Sequence, residues 1–213
     1  MERGAGGAGI AGGNAVNGRT AHVVRETKET RVDVTLDVDG SGRSSAKTGI
    51  GMLDHLVEQI GKHGLFDLAV TASGDLHVDE HHTVEDVGIA VGQALDRALG
   101  DRSGIVRMAD ATVPLDEALA SVAVDISGRP FCALEVTWTL ERIGELPASL
   151  VEHLLCSIAT EGKLTLHARV VRGENDHHRA EALCKALGRA LGAATRLEPR
   201  RGGQAPSTKG VIG

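Results

Sequence analysis

Aromatic side chains are nearly absent from this sequence. Phe66, Phe131 and Trp138 are the aromatic residues among 213, and there is no tyrosine. Because hydrophobic residues still make up 41% of the chain, a core is expected to be packed from aliphatic side chains. The scarcity of rings argues against binding of single-stranded nucleic acid, which stacks bases on aromatic side chains.

Cysteine is also sparse. Cys132, Cys156 and Cys184 form no C-x-x-C motif. Such an odd, scattered set is typical of a reducing compartment and argues against a disulfide framework, so we predict a cytoplasmic protein. No apolar run reaches transmembrane length, so no membrane partner is expected. Residues 1–18 lack the apolar segment of a signal peptide, and their Gly-rich composition predicts a disordered arm.

A concentrated positive charge is missing as well. The formal net charge is −6 and the sequence pI is about 5.9, with lysine and arginine scattered along the chain. No footprint for a nucleic-acid backbone is present, and no nucleic-acid partner is expected. The one local basic excess, at 196–201, could bind a phosphate as easily as face solvent.

The sequence does contain an internal repeat. Three features recur in the same order in both halves of the chain, and we therefore predict a duplication. The predicted halves are 19–106 and 107–198, followed by a C-terminal loop at 199–213. The matched features are Leu36–Gly40 with Val124–Gly128, Leu53–Leu56 with Val151–Leu154, and His81–Glu85 with His177–Glu181.

Hydrophobic periodicity predicts the same order of elements in each half. We therefore predict an α+β fold in which a βα half-domain is duplicated, giving two mixed sheets with helices packed on one face of each. Gly64 is the predicted end of the first helix. The predicted strands are 30–38, 65–72, 75–79, 119–127, 131–140 and 163–171, and the predicted helices are 52–62, 82–99, 147–160 and 177–194.

Histidine and glutamate carry the chemistry of the repeat. His81 and Glu85 are four residues apart, as are His177 and Glu181, so each pair shares one helix face. The neighbouring histidines, His82 and His178, point about a quarter-turn away, and His55 and His153 add imidazoles from the preceding helices. Imidazole and carboxylate ligands without thiolate suit manganese, iron, zinc or nickel.

A single His-His pair at a helix start is usually a solvated or capping feature rather than a metal site. Two pairs at identical positions of a repeat, each with a glutamate four residues on and a histidine upstream, favour metal binding instead. The order of ligands differs from the H-E-x-x-H pattern of zinc proteases, so a general-base glutamate between two ligands is not implied.

Several segments together resemble the signature regions of the imidazoleglycerol-phosphate dehydratase family. The resemblance covers about residues 20–212. The segments are Gly49–His55, Asp79–Asp86, Asp125–Pro130, Asn175–His178 and Pro206–Gly210. Residues 141–150 depart from the family pattern in lacking nearby aromatic residues, and Cys184 stands where bulkier residues are common.

The resemblance implies a hydro-lyase of histidine biosynthesis that converts imidazoleglycerol phosphate to imidazole-acetol phosphate and water. It further implies two manganese ions per active site, which hold the substrate ring as an imidazolate, and a homo-oligomer of 24 chains assembled from trimers. The implied ligands of one ion are His55, His81, Glu85 and His178. Those of the other ion are His82, His153, His177 and Glu181.

The same resemblance assigns the remaining site residues. Glu29 is the implied catalytic acid/base, although taken alone it would be an exposed residue at a strand start. Arginine and lysine supply the planar and point charges that a phosphate requires, although a single arginine is more often a solvated surface charge. The implied substrate-binding residues are Glu29, His55, His81, Arg107, Arg129, Lys185, Ser207, Thr208 and Lys209.

Two other functions are compatible with the residues alone. A two-metal hydrolase of a phosphorylated substrate would need a bridging carboxylate, for which Asp54, Asp79 and Asp86 are the candidates. A non-catalytic, metal-dependent assembly protein would instead fill every coordination position of its metal with protein ligands.

Overall fold

The structure, a computed structural model, describes residues 18–212. Its strands and helices follow the same order in the two halves, except that the second half adds the short pair β8 and β9. In chain order they are β1 (Thr20–Glu26), β2 (Thr30–Asp37), β3 (Ser44–Lys47), α1 (Gly51–Gly64), β4 (Asp67–Gly74), α2 (His81–Leu99), β5 (Met108–Leu115), β6 (Ala118–Asp125), β7 (Phe131–Glu135), β8 (Arg142–Ile143), β9 (Leu146–Pro147), α3 (Ala148–Glu161), β10 (Thr165–Arg172) and α4 (Asp176–Thr195), with a 3₁₀ turn at Pro199–Arg201.

The two large sheets have equivalent topologies. The first has the order β1-β2-β4-β3 and the second β5-β6-β10-β7. In each, the last strand runs parallel to its neighbour and the other pairs are antiparallel, so both sheets are mixed. In β2, Val32, Val34 and Leu36 are buried while Arg31 and Thr35 are exposed, because successive side chains of a strand point to opposite faces.

The helices cover the buried face of each sheet. α2 packs on β1 and β2, α4 packs on β5 and β6, and each also contacts a helix of the other half: α1 contacts α4, and α2 contacts α3. The core between these layers is aliphatic, as the composition predicted, and Phe66 is the one aromatic residue that is buried among residues 18–212.

Glycines let the helices of the two halves approach closely. A Cβ at Gly188 on α4 would lie 2.5 Å from the carbonyl oxygen of Ile60 on α1. A Cβ at Gly88 on α2 would lie 2.7 Å from the Cβ of Ser157 on α3. The contact between the halves is therefore nearly backbone to backbone at these two crossings.

The predicted fold class is confirmed, and several predicted strands are wrong in detail. Residues 75–79 form a turn rather than a strand, in which the Val78 N–H donates to the Asp75 carbonyl at 2.7 Å. The strand predicted at 131–140 ends at Glu135. The prediction also missed five strands whose alternation is weak or short, namely β1, β3, β5, β8 and β9.

Gly64 is the last residue of α1, as predicted, but it does not adopt the left-handed conformation of a glycine cap. The helix includes Gly64, and Leu65 takes the left-handed conformation, with φ of 60°. A Cβ at Gly64 would lie 3.0 Å from the carbonyl oxygen of Gly188, and one at Gly192 would lie 2.5 Å from the Gly64 carbonyl oxygen. Glycine is therefore required at position 64 by close packing against α4 rather than by a left-handed turn of the backbone.

The expectation of unpaired cysteines is also corrected. Cys132 on β7 and Cys156 on α3 form a disulfide, with their Cα atoms 5.4 Å apart, while Cys184 is free and buried. The pair was not visible in the sequence because its spacing matches no motif. It forms because α3 packs against β7.

The arm predicted at 1–18 lies outside the described residues, apart from Gly18. Two further expectations stay predictions: the half-domain boundaries, at 19–106 and 107–198, and the substrate-binding role of residues 199–213. Within residues 18–212, no helix combines the length and the apolar character that crossing a bilayer requires.

Candidate metal centres and active site

Two helix starts carry the repeated histidines, and an Asx side chain fixes each. The Asp79 carboxylate accepts the His81 N–H at 2.8 Å at the start of α2. The Asn175 side chain accepts the His177 N–H at 2.9 Å at the start of α4. Each bond satisfies a first N–H group that lacks a partner within its helix; Asn175 is the N-cap of α4, while Asp79 precedes Glu80, the N-cap of α2.

The first centre joins α1 to α4. The Nε2 atoms of His55 and His177 lie 3.1 Å and 3.2 Å from the same oxygen, Oε2 of Glu181. The ring centroids of the two histidines are 5.3 Å apart. One ligand atom from each residue can therefore face a common point, since the three atoms lie within 4.8 Å of one another.

The second centre joins α3 to α2 in the same way. Nε2 of His153 lies 3.4 Å from Oε1 of Glu85, and the rings of His153 and His81 have centroids 4.8 Å apart. These residues also place one ligand atom each within 4.8 Å of the others. The duplication thus yields two equivalent centres, each built from one helix of each half.

This pairing corrects the ligand sets that the resemblance implied. Within one chain, His55 lies with Glu181 rather than with Glu85, and His153 lies with Glu85 rather than with Glu181. The exchange follows from the packing of α1 on α4 and of α3 on α2.

The donor atoms fit a divalent metal ion. Nε2 of His55 and Nε2 of His153 are buried and make no hydrogen bond within residues 18–212, although a carboxylate oxygen lies close to each. A buried polar atom without a partner is costly in a folded protein. Lone pairs of imidazole and carboxylate directed at one point remove that cost when an ion sits there.

Lys185 belongs to the first centre. Its Nζ lies 2.7 Å from Oε1 of Glu181, one helical turn before it on α4. Burial raises the pKa of Glu181, but the hydrogen bond from Lys185 and the nearby imidazole of His55 outweigh burial and lower the pKa to about 2. Glu181 is therefore an anion across the physiological pH range, as a metal ligand must be.

His82 and His178 lie outside both centres of the same chain. The Nδ1–H of His82 donates to Asp75 at 3.0 Å, and the Nδ1–H of His178 donates to Glu117 at 2.7 Å. These hydrogen bonds raise the pKa of both histidines. Their side chains are 35% and 29% exposed, so both rings are within reach of a neighbouring molecule.

Glu29 lies in the β1–β2 turn, beside the start of α2. Its Oε2 is 3.8 Å from Nδ1 of His82, and its side chain is 56% exposed. The turn is held because Thr27 Oγ1 accepts the N–H groups of Glu29 and Thr30. Thr30 in turn donates to the buried Asp86 on α2, so the turn is anchored to the helix that carries His81.

Five of the predicted substrate-binding residues line one cavity of about 720 Å³, together with Arg201. The five are Arg107, Arg129, Ser207, Thr208 and Lys209. The basic run at 196–201 was the sequence signal for Arg201, although no role was assigned to that residue individually.

Arg107 is held rigidly in this cavity. Its guanidinium donates to Asp125 Oδ1 at 2.7 Å and to the Pro206 carbonyl at 2.8 Å. The bond to Asp125 raises the pKa of Arg107. The lining of the cavity includes no residue of either histidine centre, so within one chain the cationic cavity and the centres are separate.

The three aspartates proposed as bridging ligands are engaged elsewhere. Asp54 accepts the N–H and the hydroxyl of Thr48, at 2.8 and 2.6 Å. Asp79 accepts the His81 N–H at the start of α2, and Asp86 is buried between Arg25 and Thr30. The bridging carboxylate that a two-metal hydrolase needs is therefore not supplied by these residues.

Comparison with known proteins agrees with the geometry. The family model described as "Imidazoleglycerol-phosphate dehydratase" matches residues 48–191. The chain belongs to the imidazoleglycerol-phosphate dehydratase family. The family comprises hydro-lyases, and the chain is an enzyme of that class.

Relatives and solved structures within the imidazoleglycerol-phosphate dehydratase family cover almost the whole chain. The enzyme of that name from Roseiflexus sp. (strain RS-1) is 59% identical over 91% of this chain and 98% of its own length. The one from Chloroflexus aggregans is also 59% identical, over 91% of this chain and 95% of its own.

Two crystal structures of family members share the fold. The enzyme from Staphylococcus aureus has a TM-score of 0.75 at 33% identity, covering 84% of this chain and 99% of its own. The enzyme from Pyrococcus furiosus, in complex with (S)-C348, has a TM-score of 0.77 at 34% identity, covering 89% of this chain and all of its own.

Proposed function

We propose that this chain removes water from imidazoleglycerol phosphate to give imidazole-acetol phosphate, a step of histidine biosynthesis in the cytoplasm. We also propose that two manganese ions bind at the centres built around His55 and His153. The observation that carries the proposal is the pair of equivalent centres, each with a buried imidazole nitrogen that lacks a hydrogen bond, in a chain of this family.

The metal ions would act as Lewis acids on the imidazole ring of the substrate and as a template for its position. His55, His177 and Glu181 would hold one ion, and His81, Glu85 and His153 the other. His55 and His81 would also border the bound ring. Lys185, bonded to Glu181, would keep that carboxylate oriented and would contact the substrate as well.

His82 and His178 are proposed to complete the centres of neighbouring copies. Each ring is tied at Nδ1 and exposed, which leaves Nε2 available to a second chain. The separation of the cationic cavity from the centres within one chain also supports an active site shared between copies. These features support a homo-oligomer, for which the family resemblance implies 24 chains.

The chain's other residues would hold the substrate and move its protons. Arg107, Arg129 and Lys209 neutralise the phosphate, while Ser207 and Thr208 offer it hydroxyls. Binding of the phosphate would hold the reacting carbons of the substrate in the correct orientation relative to the catalytic groups. Glu29, exposed on its anchored turn, is the candidate for proton transfer at the substrate carbon chain.

Turnover of imidazoleglycerol phosphate with added manganese tests the reaction itself. The keto product is expected by absorbance, with no release of inorganic phosphate. Phosphate release would favour the hydrolase instead, and metal binding without any turnover would favour the assembly protein.

Replacing Glu29 by glutamine tests its role. We expect turnover to fall by about 10²–10⁴-fold, the usual contribution of a positioned acid/base, while manganese content is unchanged. Glu26→Gln is the matched control, since Glu26 is exposed on β1 and pairs with Arg31, away from the centres. Unchanged turnover in the Glu29 variant would remove that residue from the mechanism.

A further inference from the structure

Glu29 and Glu117 occupy the same place in the two halves. Each immediately precedes the second strand of the hairpin that opens its half, β2 at Thr30 and β6 at Ala118. The register agrees, because the last residue of that strand pairs with the first residue of the hairpin in both sheets: Asp37 with Thr20, and Asp125 with Met108.

The two glutamates have nevertheless diverged in their contacts. Glu117 is fully engaged: Oε2 accepts the Nδ1–H of His178 at 2.7 Å, and Oε1 accepts the N–H of Asn175 at 2.9 Å. Glu29 lies 3.8 Å from Nδ1 of His82 and is not hydrogen-bonded to that ring, because Asp75 accepts the Nδ1–H instead.

Asp75 is supplied by the turn after β4. Its carboxylate is 16% exposed and faces His82 with both oxygens, at 3.0 and 3.3 Å. In the second half, the corresponding turn after β10 begins with Gly173, and the ring of His178 bonds Glu117 rather than a residue of that turn. One half therefore uses a separate aspartate where the other uses the hairpin glutamate.

We propose that Asp75 and Glu117 are positioning residues that hold His82 and His178 with Nε2 directed outward, and that Asp75 keeps Glu29 free for proton transfer. The proposal rests on the proposed function, in which these histidines bind the ions of neighbouring copies. A carboxylate behind a ligating histidine fixes its tautomer and ring orientation and increases its basicity.

Manganese affinity, measured by titration calorimetry, tests the positioning role. We expect Asp75→Ala and Glu117→Ala to weaken binding by about 10–100-fold, and Asp75→Asn and Glu117→Gln to weaken it less, because an amide oxygen still accepts the Nδ1–H. Glu26→Ala is the control: it removes an equal charge from a side chain that is 62% exposed and pairs with Arg31, and it should bind manganese as the wild type does.

A double-mutant cycle tests the freeing of Glu29. In the Asp75→Ala protein, Glu29 is near enough to take over the His82 ring. Glu29→Ala, which removes the acceptor altogether, should therefore leave manganese affinity unchanged in the wild type but lower it further in the Asp75→Ala background. Equal affinities of Asp75→Ala and the double variant would overturn this part of the proposal.

Two further variants separate failure of this inference from failure of the proposed function. His82→Ala and His178→Ala remove the ligands themselves and should lose manganese at least as severely as the carboxylate variants. If they bind normally, the ligand assignment is wrong and the inference falls with it. If they lose manganese while Asp75→Ala and Glu117→Ala do not, the inference alone is overturned.

Discussion

The crossing of α4 over α1 at Gly188 gives the most direct test of how the fold builds the first centre. In Gly188→Ala, the added Cβ would lie 2.5 Å from the Ile60 carbonyl oxygen and 3.1 Å from the Gly64 nitrogen. An ordinary carbon–oxygen contact is about 3.3–3.6 Å, so the helices must separate by roughly 1 Å. No side-chain rotation can relieve the overlap, because both obstacles are backbone atoms.

The expected cost follows from two opposing effects. Overpacking a close-packed contact costs about 1–3 kcal/mol, and the upper part of that range applies to a backbone obstacle. Alanine in place of glycine inside a helix returns about 1 kcal/mol. We therefore expect the free energy of unfolding to fall by about 1–2 kcal/mol, equivalent to a melting temperature lower by roughly 2–8 °C.

The same separation moves His55 on α1 away from His177 and Glu181 on α4. Because metal–ligand distances tolerate only about 0.2 Å, the manganese ion proposed for this centre should be lost while the one proposed for the other centre is retained. Thermal unfolding of the metal-free protein measures the stability, and elemental analysis measures the metal. Gly18→Ala, whose Cβ would meet only an ordinary contact of 3.5 Å, is the control. A Gly188→Ala protein as stable as the wild type would refute the reasoning.

Two further predictions concern thiols and pH. Burial raises the pKa of Cys184 to about 12, so we expect the native protein to contain no thiol that reacts with an aromatic disulfide reagent. The denatured protein should contain one reactive thiol, and the denatured and reduced protein should contain three. A reactive thiol in the native protein would contradict the burial of Cys184. The hydrogen bond from Arg19 lowers the pKa of Asp39, so its stabilisation is present above the unfolded pKa of about 3.9 and is lost as the pH falls through the lower folded value. Urea unfolding should show Asp39→Asn to be less stable than the wild type near neutral pH, with a difference that shrinks as the solution is acidified; a constant difference would rule out this ion pair as the cause.

The identity of the candidate ligands could be predicted because it depends on local geometry. A histidine and a glutamate four residues apart must share a helix face, as His81 and Glu85 do. The internal repeat showed that the same His/Glu pair occurs twice. Because the repeated motif contains no cysteine, the choice of metal was restricted to ions that bind imidazole and carboxylate ligands. Alternation in β2 and the helical period of α2 gave the fold class in the same way.

The roles of two other residues near the site, Asp75 and Glu117, could not be predicted from hydrophobic periodicity. Asp75 lies in a turn that was predicted to begin a strand, and its contact with His82 depends on how β4 meets α2. Glu117 could have been found from its position in the repeat, since it matches Glu29. Its bond to His178, however, required the hairpin to be placed against α4.

The sequence by itself therefore determined the duplication, the mixed α+β fold and the residue types that could hold two divalent ions. Only the tertiary structure decided that His55 lies with Glu181 and His153 with Glu85, and that Cys132 lies against Cys156. The physical reason is that helical spacing is a property of a few neighbouring residues. The crossing of α1 with α4 and of α2 with α3, in contrast, depends on how distant small residues such as Gly88 and Gly188 let the two halves bury each other.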